Sequence, residues 1–234
     1  MFFISSDYKL MRTMNKCTDD SEKRESADDL PERDMPRAIH VFSEGIARSY
    51  DAWYERPDNR PLVELEKKAL LEMMRPSQGE TLLDVGCGTG YFSFYFSQRN
   101  LQVVGLDRSE DMLAIARDKH NRLPLVLGDG HRLPFPDETF DISTATTTLE
   151  FTTHPGVVLQ ELYRVCKRIV VLGVLEKLSW LALKRKLRKG SSFSQVTFYS
   201  VRELKRMIRR HLPDVEITTK RPFRAFIVAT IQKR

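Results

Sequence analysis

Three glycines set two residues apart, Gly86, Gly88 and Gly90, stand between the apolar run Thr81-Leu82-Leu83-Asp84-Val85 and a segment with helical apolar spacing. Glycine lets backbone turn tightly and approach a ligand closely. A strand, such a loop and a helix in succession place a ligand at the carboxyl end of the strand, beside a helix N-terminus. Two acidic residues then fall where a nucleoside needs them. Asp107 ends Val103-Val104-Gly105-Leu106-Asp107, 21 residues after Gly86, where a carboxylate accepts hydrogen bonds from ribose hydroxyls. Asp129, in Val126-Leu127-Gly128-Asp129-Gly130, can receive the exocyclic amine of adenine. Asp84 precedes the loop and can position it, or meet a ligand's ammonium group through water.

Each feature has a plainer alternative. The glycines can be turn residues, Asp107 can cap a helix beginning near Glu110, and Asp129 can be a turn residue. Their coincidence favours the nucleoside. A dinucleotide is the competing ligand, but its usual loop is Gly-x-Gly-x-x-Gly, facing a pyrophosphate, and this chain has Gly-x-Gly-x-Gly. The position of Asp129 also favours a ligand of mononucleoside size. Cys17, Cys87 and Cys166 are widely separated and show no Cys-x-x-Cys zinc spacing, so no metal is expected. Cys87 reads as a small residue in a tight loop.

The elements that must position these groups follow from periodicity. Residues 1–36 are polar and acid-rich and are expected to form a mostly disordered tail. Ile39, Phe42, Ile46, Tyr50 and Trp53 lie on one face of a helix expected over 37–55, and a second helix is expected over 62–74. Strands are expected at 81–85, 101–106, 123–127, 140–146 and 168–174. Helices over 91–98, 110–119 and 155–165 alternate with them. This alternation predicts βαβ units: an α/β, Rossmann-like, doubly wound and mostly parallel sheet in three αβα layers. Helices over 178–188 and 201–211 follow, then strands at 215–219 and 223–231, which suggest an antiparallel C-terminal edge. Residues 37–234 thus form one domain, with N-terminal helices over 37–75 and a basic part over 177–234.

The 234 residues suffice for one such domain. No apolar run approaches the ~18 residues of a membrane span, and the opening residues lack the basic region of a secretory leader, so a cytoplasmic location is expected. The net charge of +6 conceals an acidic start and a basic end. A basic surface can attract RNA, anionic lipid or an acidic small molecule, or be simply a solvated face.

The run from Leu83 to Gly90 resembles motif I of the class I S-adenosylmethionine-dependent methyltransferases. Gly128-Asp129-Gly130-His131-Arg132-Leu133-Pro134-Phe135, with the Pro136-Asp137-Glu138-Thr139-Phe140-Asp141 that follows, is similar to the type 11 subgroup. So are Leu149-Glu150-Phe151 and Leu159-Gln160-Glu161-Leu162-Tyr163-Arg164-Val165. The likeness covers about residues 38–174. It implies S-adenosylmethionine as cofactor, with Gly86 and Gly88 beside its amino-acid part, Asp107 on the ribose and Met112 packed near it. It implies Asp129 and Gly130 framing adenine and Thr147 lining the methionine end. Tyr50 resembles the family's N-terminal helix that folds over the cofactor, and equally suits a core position on its apolar stripe. One departure stands out: the family's Pro-Gly-Gly before the fifth strand is replaced by Val165-Cys166-Lys167.

Methyl transfer from a sulfonium needs chiefly alignment in a dry pocket, and a base only if the acceptor must lose a proton. Glu150, His154 and His131 are the candidates, none singled out. No Asn-Pro-Pro-Tyr-like segment follows the fourth strand, which argues against enzymes methylating amides and base amines. A small-molecule acceptor is the main expectation. The basic, amphipathic residues 178–189, with Trp180, Leu183 and Leu187 among lysines and arginines, suit a lid, an anionic membrane surface, RNA phosphates or simply a packed helix. An RNA methyltransferase, or an assembly protein that keeps the cofactor fold, are the alternatives.

Overall fold

The computed structural model describes residues 51, 52, 54–177 and 196–233. The expected tail, most of the helix over 37–55 with Tyr50 and Trp53, and the basic segment 178–188 lie outside the described residues. In chain order the elements are α1 (Arg60–Met74), β1 (Thr81–Val85), α2 (Tyr91–Ser97), β2 (Gln102–Asp107), α3 (Glu110–Lys119), β3 (Leu125–Leu127), β4 (Phe140–Thr146), α4 (Pro155–Val165), β5 (Cys166–Leu175), α5 (Val201–His211), β6 (Glu216–Phe223) and β7 (Phe226–Gln232).

The strands form one seven-stranded sheet in the order β3-β2-β1-β4-β5-β7-β6. β3, β2, β1, β4 and β5 pair in parallel, while β7 pairs antiparallel with both β5 and β6. The α/β fold with an antiparallel C-terminal edge is as expected. The sheet buries both faces, because successive side chains of a strand point opposite ways. In β1, Leu83 and Val85 join a core beneath α4 and α5. Leu82 joins the core on the other face, beneath α1 and α2.

Two boundaries differ from expectation for physical reasons. β5 starts at Cys166, directly after α4 ends at Val165, so no turn separates them. The register absorbs this: Phe140 faces Cys166 but Ile142 faces Ile169, one extra residue on β5, which is a β-bulge. β3 is shortened to three residues, because Pro124 cannot donate to the ladder and contributes only its carbonyl, to Gly105 N–H at 2.9 Å.

Candidate functional site

The strand order reverses between β1 and β4, and in open α/β sheets the crevice at that switch point is where ligands sit. Here it is walled by the glycine loop, by Asp84 and Thr146 at the strand ends, and by Tyr54, Tyr91 and Phe92. The loop is held from below: Leu106 O accepts from Gly86 N–H at 2.7 Å and Cys87 N–H at 3.0 Å. Gly86 has φ 72°, and a Cβ there would lie 2.3 Å from Thr148 Cγ2. Gly88 also has a positive φ, 55°, but a Cβ there would meet only Met112 Cε, at an ordinary van der Waals distance of 3.8 Å. Gly86 is therefore required by the protein's own packing, whereas at Gly88 the backbone conformation is what favours glycine.

Asp107 ends β2 and fastens the loop. Gly88 N–H donates to its Oδ2 and Ser109 N–H to its Oδ1, both at 2.8 Å. Each oxygen keeps a further acceptor position. Burial pushes this carboxyl up from its ordinary range, and the backbone donors at Ser109 and Gly88 oppose that. Asp107 does not cap α3; that cap is Ser109, whose Oγ accepts from Met112 N–H at 3.3 Å. Met112 is buried beneath the loop.

Asp84 is 2 % exposed and accepts from Ser93 Oγ at 2.5 Å. Burial pushes its carboxyl up to about 7, partly offset by Ser93 and reinforced by nearby Asp107. Asp129 accepts from both the His131 backbone N–H at 2.9 Å and His131 Nδ1 at 2.6 Å. The His131 ring holds this carboxyl down at about 2. Gly130 lies against Val85 and Val158. Thr147 has φ 54° and gives its N–H to Gly173 O at 2.7 Å, while its neighbour Thr146 lines the crevice.

Two groups in this region, Asp51 and Tyr54, carry no local sequence signal. Asp51, 7 % exposed, accepts from Thr89 Oγ1 of the loop and from Lys119 Nζ at the end of α3. It ties the helical residues around 51–55 to the glycine loop, and Tyr54 stacks on Tyr91 with centroids 4.5 Å apart. The base candidates fare differently. Glu150 is 1 % exposed, and its Oε1 accepts from Leu175 N–H at 2.5 Å, so it closes the end of β5 and does not face the crevice. His131 and His154 lie edge to face, 6.1 Å apart, and His131 is committed to Asp129 through Nδ1.

The chemistry of these groups suits an adenosyl sulfonium cofactor. Thr146 Oγ1 is buried with no partner among the described residues, in the crevice that Asp84 also lines. That pairing of a carboxylate and an unused hydroxyl suits the ammonium of an amino-acid moiety. Among the described residues no cluster of His, Cys, Asp or Glu could hold a metal ion.

Comparison with known proteins agrees. Residues 83–172 match the model of a methyltransferase domain family. The chain is 29% identical over 175 residues to an uncharacterised protein of Methanocaldococcus jannaschii, covering 73% of this chain and 80% of that one. It is 32% identical over 140 residues to a demethylmenaquinone methyltransferase of Streptomyces griseus, covering 58% and 60% of the two chains. In fold it resembles an S-adenosylmethionine-dependent methyltransferase of Thermotoga maritima described as a possible histamine N-methyltransferase. The TM-score is 0.67 at 24% identity, over 84% of this chain and 99% of that one. The motif, the sheet order and these likenesses converge: residues 83–172 match a methyltransferase domain family, and the chain shares the fold of an S-adenosylmethionine-dependent methyltransferase.

Proposed function

We propose that the protein transfers the methyl group of S-adenosylmethionine to a small-molecule acceptor by direct displacement. The observation that carries this reading is the crevice between β1 and β4, lined by the glycine loop, Asp84 and Thr146, whose Oγ1 has no partner among the described residues. On this reading Gly86 and Gly88 flank the amino-acid part, and Asp84 and Thr146 receive its ammonium. Asp107 holds the ribose with Met112 packed beside it. Asp129 and Gly130 frame adenine, Thr147 stands at the methionine end, and Tyr50 covers the site from the N-terminal side. The bound cofactor supplies an already activated methyl group, so the chain's task is to align and to exclude water. Apolar Tyr54, Tyr91 and Phe92 at the wall suit that task.

The small-molecule acceptor is supported by the named relative, which is a methyltransferase of demethylmenaquinone. Of the base candidates, Glu150 is held by Leu175 N–H and His131 by Asp129, which suits an acceptor that is already nucleophilic. The test is transfer of labelled methyl groups into a cell extract separated into small-molecule, RNA and protein fractions. Label in the small-molecule fraction is expected; label confined to RNA would replace this acceptor class with the RNA one.

A further inference from the structure

A concavity larger than the crevice lies away from it, between α5 and β6. It is a groove of about 710 Å³ lined by Arg202, Lys205, Arg206, Arg209 and Arg221, with Ser200 and Val201 at one end. Arg202, Lys205, Arg206 and Arg209 recur at i, i+3, i+4 and i+7, a single stripe along α5. None of these four forms an ion pair with a described residue, whereas Arg221 reaches Glu176 at 2.7 Å. No large exposed apolar side chain lies on α5 or β6. The groove therefore lacks the apolar anchors a membrane-facing helix uses, and it is built for a chain of anions.

The same polypeptide carries such a chain. Residues 19–34 hold eight carboxylates (Asp19, Asp20, Glu22, Glu25, Asp28, Asp29, Glu32, Asp34) against Lys23, Arg24 and Arg33. That is a net −5, against five cationic side chains lining the groove. Reach is sufficient. Asp51 is fixed beside Thr89 after β1, and β6 is four strand spacings away, about 19 Å at ~4.8 Å each. The 17 steps from Asp34 to Asp51 cover about 25 Å even at the ~1.5 Å rise of a helix.

We propose that the α5–β6 groove is the docking surface for the chain's own acidic segment, residues 19–34. A tethered segment meets its site at an effective concentration of order mM, so it outcompetes dilute anions of similar intrinsic affinity. The rim between Thr89 and Arg221 is formed by the carboxyl ends of β1, β4 and β5 and the amino end of antiparallel β7.

The test couples carboxylates to amines in the full-length protein with a carbodiimide and maps the joined residues by mass spectrometry. Lys205 joined to residues 19–34 at low salt is expected. The yield should fall at least tenfold near 1 M salt, where the Debye length is ~3 Å. Reversal of the groove (Arg202→Glu, Arg206→Glu, Arg209→Glu) should abolish the link. Adding Asp28→Lys, Asp29→Lys and Glu32→Lys should restore a link, now between the new lysines and the new glutamates. No Lys205 link in the wild-type chain, or one undiminished by groove reversal, overturns the proposal. A second readout is the affinity for a single-stranded RNA 20-mer of the full-length chain with the eight carboxylates changed to amides. A tenfold or greater gain over wild type is expected. Equal affinity would show the groove open in the native chain, with RNA or another external anion as its occupant.

Discussion

Gly86 and Thr148 meet so closely that residue 86 cannot gain a side chain while Thr148 stays in place. A Cβ at residue 86 would lie 2.3 Å from Thr148 Cγ2, on a backbone with φ 72°. Gly86→Ala should therefore cost about 2 kcal/mol or more, as strained φ and overpacking combine. Thr148→Ala should recover only part of the packing share, since its own Cβ stays 2.9 Å away, and none of the φ share, which a double-mutant cycle in urea unfolding would resolve. Asp84 makes a second case. Its folded carboxyl titrates near 7 and its unfolded one near ~3.9. The unfolded state therefore loses its proton first, and native stability falls as pH rises through that window, by up to about 4 kcal/mol. Asp84→Asn should raise the melting temperature at pH 8 while leaving it nearly unchanged at pH 3.5. If Asp84 meets the cofactor's cationic end, the same ionisation should make S-adenosylmethionine bind more tightly at pH 8 than at pH 6, and Asn should flatten that slope. The strand ends that carry the glycines, Asp107 and Asp129 were legible because the motif is local. Thr146 left no such signal, since its distinction is a buried hydroxyl without a partner among the described residues; the sequence reading named its neighbour Thr147.

At the scale of elements, the loop is held from two sides that sequence spacing does not reveal. Asp107 fastens it through Gly88 N–H, and Asp51 fastens it through Thr89 from 38 residues away. Long-range polar links of this kind leave no periodic trace, whereas the βαβ alternation that positions them is periodic and was read directly. Asp51→Ala should leave the buried Thr89 hydroxyl (1 % exposed) without its acceptor, at a cost of about 1–2 kcal/mol. Lys119 is half-exposed and can turn to water. Asp51→Ala and Thr89→Val should be non-additive by about 1 kcal/mol, and amide exchange of residues 51–55 should speed up in both. Additive costs would show that the two side chains do not act as one link. The direct α4-to-β5 junction was anticipated only as a shortened turn, because the bulge that absorbs it belongs to the pairing of β4 with β5.

For the whole molecule, the strand order places the glycine loop, Asp107 and Asp129 at the ends of β1, β2 and β3, on one rim of one sheet. That arrangement is what brings three separated sequence signals to one crevice rim. The charge asymmetry was visible in composition, but the groove was not, since it joins a helix stripe to a residue of another element, Arg221 on β6. The central claim concerns the cofactor, and calorimetry on the wild-type chain with S-adenosylmethionine and with its demethylated product tests it most directly, with Asp107→Ala alongside. The account predicts saturable one-site binding of both ligands by the wild type, and at least tenfold weaker binding by the variant, which loses the ribose acceptor and the Gly88 anchor together. No binding of either ligand by the folded wild-type chain would contradict the cofactor site, and unchanged binding by Asp107→Ala would contradict the place of Asp107 in it.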